Sequence, residues 1–142
     1  MTTIEEHKNK IKEHLEEIED AIERGIEKRP VTIGFHCSAC AMQFLELYLH
    51  VKNKISMGKV VKHDWFKRPH FEQKQEPLIE RKLGVDFPKK QEVYDLIYSL
   101  EDERNILMYG KPFEKQVKKV LNIFLEFKKI LIGLLENEGF KI

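Results

Sequence analysis

Residues 34–56, GFHCSACAMQFLELYLHVKNKIS, decide the fold. From Gly34 to Ser56 the stretch carries Phe35, Cys37, Ala39, Cys40, Ala41, Phe44, Leu45, Tyr48, Val51 and Ile55. At about 100° per residue these apolar and small side chains cover most of a helix circumference. A helix without a broad polar face must be enclosed by other elements, so this one is predicted to be the most buried of a set.

The flanking sequence supplies its partners. On the N-terminal side, Thr3 and Glu6 have the spacing of a capping box. Ile4, Ile11, Leu15, Ile18, Ile22 and Ile26 then form one stripe of an amphipathic helix that Pro30 stops. On the C-terminal side a third helix is predicted from Pro88, with Val93, Leu96, Ile97, Leu100, Leu107 and Met108 on one arc, ended by Gly110 and Pro112. The last begins at about Phe113 and closes near Gly139; Val117, Val120, Leu121, Phe124, Phe127, Ile130, Leu131, Leu134 and Leu135 fall at helical spacing. Between the second and third helices runs Met57 to Phe87, punctuated by Gly58, Pro69, Pro77 and Gly84 and too long for an ordinary bundle connection. It is expected to hold a short helix near Leu78 to Leu83. The prediction is an all-α, single domain over residues 1–142: an up-and-down four-helix bundle with a long insertion between the second and third helices.

The 142 residues carry 25 basic and 24 acidic side chains, a net charge of +1 that excludes a uniform polycation or an acidic tail protein. The balance is uneven along the chain. Residues 1–29 hold 6 basic and 9 acidic groups, whereas residues 50–90 hold 11 and 5, so the basic excess sits in the insertion. There the run from Lys59 through Lys62, His63, Asp64, Trp65, Phe66, Lys67, Arg68 and His70 to Phe71 interleaves cations with aromatics. Such a mixture can hold phosphates and stack on bases, or can cover the bundle end with its rings while its lysines stay solvated. No apolar run approaches the roughly 18 residues of a membrane span, and the acidic, helical start reads as no signal peptide. A cytoplasmic location is the expectation, with Cys37 and Cys40 as reduced thiols. Few Asn and Gln against abundant Glu, Lys and Ile give a thermophile-like composition.

His36, Cys37 and Cys40 invite a metal reading that His63 or His70 would complete, but zinc sites bring two close ligand pairs and only one is present, so no metal is assigned. Nor is any cofactor, since no Gly-rich phosphate loop or other cofactor motif occurs. Arg104 is the anomaly. It falls inside the apolar arc of the third helix, between the directions of Val93 and Ile97, away from most of Glu101, Asp102 and Glu103. A buried lone charge costs several kcal/mol, so Arg104 must meet a carboxylate from another helix or face a cleft or interface that receives an anion. Asn105 follows it, and Tyr109 stands where Gly110 ends the helix.

With the four helices, the string Glu103-Arg104-Asn105-Ile106-Leu107-Met108-Tyr109-Gly110 resembles the signature of HEPN (higher eukaryotes and prokaryotes nucleotide-binding) domains, in which an arginine, often followed by a polar residue such as Asn, precedes a histidine with four to six residues between them. The resemblance implies a dimer whose shared cleft binds RNA or a nucleotide. Arg104 would hold phosphate, Asn105 would support it and Tyr109 would hydrogen-bond to it, and Lys67 and Arg68 of the basic insertion would add cationic contacts. It also implies two further roles known in the family: metal-independent ribonuclease, and partner of a minimal nucleotidyltransferase or of a toxin–antitoxin pair. Tyr109 occupies the histidine's place. Tyrosine, with an ordinary pKa of about 10, is a poor base at neutral pH, so the resemblance implies binding more directly than cleavage. His7 and His14, at the border of the first stripe, are the substitutes considered for the missing base, and neither is assigned. The alternative is a non-catalytic interaction module in which Arg104 is a structural ion-pair residue.

Overall fold

The computed structural model describes residues 3–69 and 76–142 and contains five helices, α1 (Ile4–Arg24), α2 (Pro30–Val51), α3 (Leu78–Lys82), α4 (Lys90–Tyr109) and α5 (Glu114–Asn137). Among the described residues there is no β-strand, and no helix is long and apolar enough to cross a membrane. His70 and Phe71 lie outside the described residues.

The helix ends follow local chemistry. Thr3 caps α1 through its hydroxyl, which accepts from Glu6 N–H at 3.1 Å, while Glu6 accepts from Thr3 N–H at 2.6 Å. Gly25, at φ 109°, then turns the chain, and Ile26 falls in a single 3-10 turn rather than in α1. Pro30 opens α2 instead of only stopping the first helix: it occupies the first turn, where its missing N–H costs nothing. The second helix therefore starts four residues before the expected Gly34. It also ends at Val51, short of Ser56, because Asn53 adopts φ 55°. Asn53 N–H then bonds His50 O and Lys54 N–H bonds Leu49 O, a Schellman closure. Gly139 closes α5 in the same way, its N–H on Glu136 O and Phe140 N–H on Leu135 O.

The four long helices run up and down. His7 faces Gln43 and Glu46 while His14 faces His36, so α1 and α2 are antiparallel. Ser38 meets Glu101 and Gly34 meets Leu107, so α2 and α4 are antiparallel as well. Phe44 meets Phe127 and Lys52 meets Glu138, which makes α2 and α5 parallel. As its apolar circumference requires, α2 packs on α1, α4 and α5. Its remaining side is covered by the insertion, whose Val61 N–H bonds the buried Glu46 carboxylate at 2.7 Å. At residue 34 only glycine permits the observed spacing of α2 and α4, since a Cβ there would lie 3.1 Å from Leu107 Cβ. Helix α1 rests chiefly on α2, leaving an apolar groove toward α5 between Leu15, Ile18 and Ile22 on one side and Leu121, Phe124 and Leu125 on the other.

Candidate functional site

Arg104 projects from the inner arc of α4 beside the Gly34 approach and is only 9% exposed. Among the described residues no carboxylate lies within ion-pair distance of it. Its one side-chain hydrogen bond goes from Nη1 to Oδ1 of the adjacent Asn105, at 3.3 Å, and its Nε is buried without a partner. Because Asn105 Oδ1 accepts from Arg104, the Nδ2 amide is what Asn105 can offer outward.

Asn105 faces a cleft of 350 Å³ between α4 and the insertion, lined also by His63, Asp64, Phe66, Lys67, Arg68, Glu101 and Asp102. The sequence-predicted residues Asn105, Lys67 and Arg68 thus share one cleft. Arg68 is committed within the chain, with Nε on Asp102 at 2.9 Å, Nη2 on Ser99 at 3.3 Å, and its guanidinium 5.4 Å from the Tyr98 ring centre. Tyr109 stands outside the cleft, one helical turn past Asn105 and 78% exposed. Nor are Trp65 and Phe66, the insertion's described aromatics of the basic run, open stacking platforms. Phe66 is buried edge-on against Tyr94 and Tyr98, and Lys59 lies over Trp65.

Two residues that the sequence did not assign to this site organise its floor. Glu101 is buried; its Oε1 accepts from Ser38 Oγ at 2.5 Å, and its Oε2 lies 2.9 Å from His63 Nδ1. Weighed in the sequence as a metal ligand and as part of the basic run, His63 is a carboxylate-oriented imidazole with a half-exposed side chain. Its pairing with Glu101 spans 38 positions, which helical periodicity cannot register.

The metal constellation does not converge among the described residues, which exclude His70. Cys37 and Cys40 are buried in the core, no group of three ligating side chains converges among the described residues, and His36 Nδ1 faces His14 Nδ1 at 2.8 Å. Burial pushes the Cys40 thiol up to about 12 and Cys37 higher still, with Cys40 itself adding to the rise at Cys37. Thiols so far from ionisation are poor nucleophiles and poor ligands.

A second polar cluster is sealed between α1 and α2. His7, placed at the border of the apolar stripe by its sequence, is wholly buried, with Nδ1 2.8 Å from Gln43 Oε1 and 3.6 Å from Glu46 Oε2. Its ring is 5.0 Å from that of His50, and both Nε2 atoms are buried without partners. Burial first, then the neighbouring His7, holds His50 below the ordinary histidine range. Burial also pushes Glu46 up, against the Val61 amide and His7, which act the other way. The two groups have opposite linkage. The His50 contribution to stability is complete above about pH 6.5 and is lost as pH falls through its lowered native value. That of Glu46 is present at acid pH and is lost as pH rises through its raised native value. The variant His50→Phe is therefore expected to show a flatter fall in urea midpoint than wild type on acidification below about pH 6.5. Superimposable pH curves would contradict the assignment.

No protein-family model matches the chain, and no curated protein or solved structure matches it significantly.

Proposed function

We propose that the protein binds RNA or a nucleotide, in the manner of HEPN domains, at the cleft between α4 and the insertion that Asn105 lines, with the buried Arg104 hydrogen-bonded to Asn105 behind it. A second copy of the chain completes the site. The observation that carries this reading is Arg104, 9% exposed, with no carboxylate in ion-pair range among the described residues and its Nε unpartnered there. A buried cation in that state is stabilised by an incoming anion, and the planar fork of arginine suits phosphate. Lys67 adds an exposed cation at the cleft rim, and Tyr109 offers a hydroxyl one turn away.

The test is fluorescence anisotropy of a labelled single-stranded RNA over a salt series. Arg104→Ala is expected to abolish binding, whereas Lys67→Ala is expected to weaken it and to reduce the salt slope by about one counterion. Unchanged affinity in Arg104→Ala at every salt concentration would remove the site.

One feature of the cleft favours a second reading. Asp64, Glu101 and Asp102 face Lys67 and Arg68, so the cleft itself is not strongly electropositive. In this reading the protein is a non-catalytic interaction module, and a partner such as a minimal nucleotidyltransferase or a toxin–antitoxin mate brings the carboxylate that Arg104 lacks. It is favoured if the purified protein shows no RNA affinity at moderate salt.

A further inference from the structure

We propose that His63 is a phosphorylation site, whose Nε2 takes the phosphoryl group of a small donor of the phosphoramidate class into the cleft between α4 and the insertion. This chemistry is separate from the RNA binding proposed above and requires neither Arg104 nor a second copy of the chain.

The geometry selects one nitrogen. Glu101 Oε2 lies 2.9 Å from His63 Nδ1, and the carboxylate is fixed from its other oxygen by the buried Ser38 hydroxyl. A carboxylate can only accept from the imidazole, so Nδ1 carries the proton and the free lone pair of the neutral ring is on Nε2. Three elements hold this ring: Ser38 on α2, Glu101 on α4 and the 3-10 turn His63–Trp65 of the insertion. The insertion is itself docked by Val61 N–H on Glu46 and by Phe66 against Tyr94 and Tyr98. Because His63 lines the cleft and its side chain is 44% exposed, a small donor can reach it. The other described histidines are differently placed. His7 and His50 are buried, while His14 and His36 face each other through their Nδ1 atoms at 2.8 Å. Other nucleophiles near the cleft floor are withdrawn from solvent: Ser38 is buried and donates to Glu101, and Cys37 and Cys40 lie in the core.

The cleft also meets the charge of the group transferred, which brings about two negative charges. Two of its carboxylates are already engaged, Asp102 with Arg68 and Glu101 with His63, each at 2.9 Å. Lys67, exposed at the rim, and the Asn105 amide, whose Oδ1 is taken by Arg104, supply donors for phosphoryl oxygens. Exposed Asp64 is the lining carboxylate that opposes them.

The step balances without redox change. The Nε2 lone pair forms the bond to phosphorus while the donor's phosphorus–nitrogen bond breaks, its electron pair leaving on the nitrogen. That nitrogen is protonated in the phosphoramidate monoanion, so ammonia departs and no further proton moves. The imidazole gains one positive charge, with its Nδ1–H still on Glu101. The carboxylate thus selects the nucleophilic nitrogen and balances the charge that forms on the ring.

The experiment incubates the full chain with potassium phosphoramidate at alkaline pH. Phosphorus NMR separates the Nδ1 and Nε2 isomers of phosphohistidine, and tandem mass spectrometry locates the group. The first phosphoryl group is expected on Nε2 of His63, entering at least about tenfold faster than at His63 of the same chain unfolded in guanidinium chloride. His63→Asn, a change at a half-exposed side chain, is expected to lose this group, and His14→Asn to keep it. Glu101→Gln keeps an acceptor for Ser38, but an amide can donate as well as accept, so the tautomer is no longer fixed. That variant is expected to react at least about tenfold more slowly and to give both isomers. A structural role alone for Glu101 would slow the reaction without changing the isomer, and Nε2 adduct alone in Glu101→Gln overturns its positioning role. Wild type that stays unmodified, that carries the group on Nδ1, or that reacts no faster folded than unfolded overturns the assignment of His63.

Discussion

Replacing Phe44 by alanine is expected to destabilise the protein by about 3–5 kcal/mol, the range for deleting a fully buried aromatic ring. Phe44 is 0% exposed and meets Phe127, also 0% exposed, edge-on with ring centres 6.4 Å apart. Alanine would lose both the transfer energy of the ring and an aromatic pair worth about 0.5–1.5 kcal/mol beyond its area. The position adds to the effect. Because α2 touches α1, α4 and α5, a cavity at the α2–α5 seam loosens the helix against which the others are aligned. A single domain commonly has about 5–15 kcal/mol in total, so the melting temperature should fall by about 10–15 °C. Leu125→Ala, at a side chain 52% exposed on the same helix as Phe127, should change stability by less than about 1 kcal/mol. Equal losses in the two variants, measured by urea unfolding followed by circular dichroism, would show that α2 is not the packing centre.

The centrality of α2 was legible because apolar coverage around a whole helix has one physical solution, enclosure. The short helix in the insertion and the closure of α5 at Gly139 were legible for similarly local reasons: a brief apolar period and a residue able to take positive φ. Pro30 shows the limit of such signals. A proline without an N–H both ends one helix and begins the next, and only the turn made by Gly25 decides that it belongs to α2. Arg104 was visible as a cation on an apolar arc, a conflict within one helix. Glu101 was not, since its burial depends on Ser38 and His63, which lie 63 and 38 positions away. Asp102 and Glu103 beside it are acidic as well, and no local pattern shows that Glu101 is the one that meets Ser38 and His63. The insertion hides its role for the same reason. Its lysines and aromatics read as a ligand surface, whereas Phe66 serves as a core residue that docks the loop so that His63 reaches Glu101.

Arg104→Met is expected to raise stability by about 1–4 kcal/mol while abolishing RNA binding. The gain follows from desolvation. Removing a guanidinium from water costs several kcal/mol unless partners replace the lost hydration, and here the replacement is one 3.3 Å hydrogen bond to a neighbouring side chain, with Nε left bare. Methionine is unbranched, of comparable length and similar helix propensity, so α4 itself should not suffer. Thermal unfolding without nucleic acid isolates this effect, and anisotropy isolates the loss of binding. The two must be read together. A more stable protein that no longer binds identifies a residue kept for its ligand against the preference of the fold, as expected where function opposes stability. A less stable protein would instead assign Arg104 a structural role, and the cleft would lose the residue that argues for an anion.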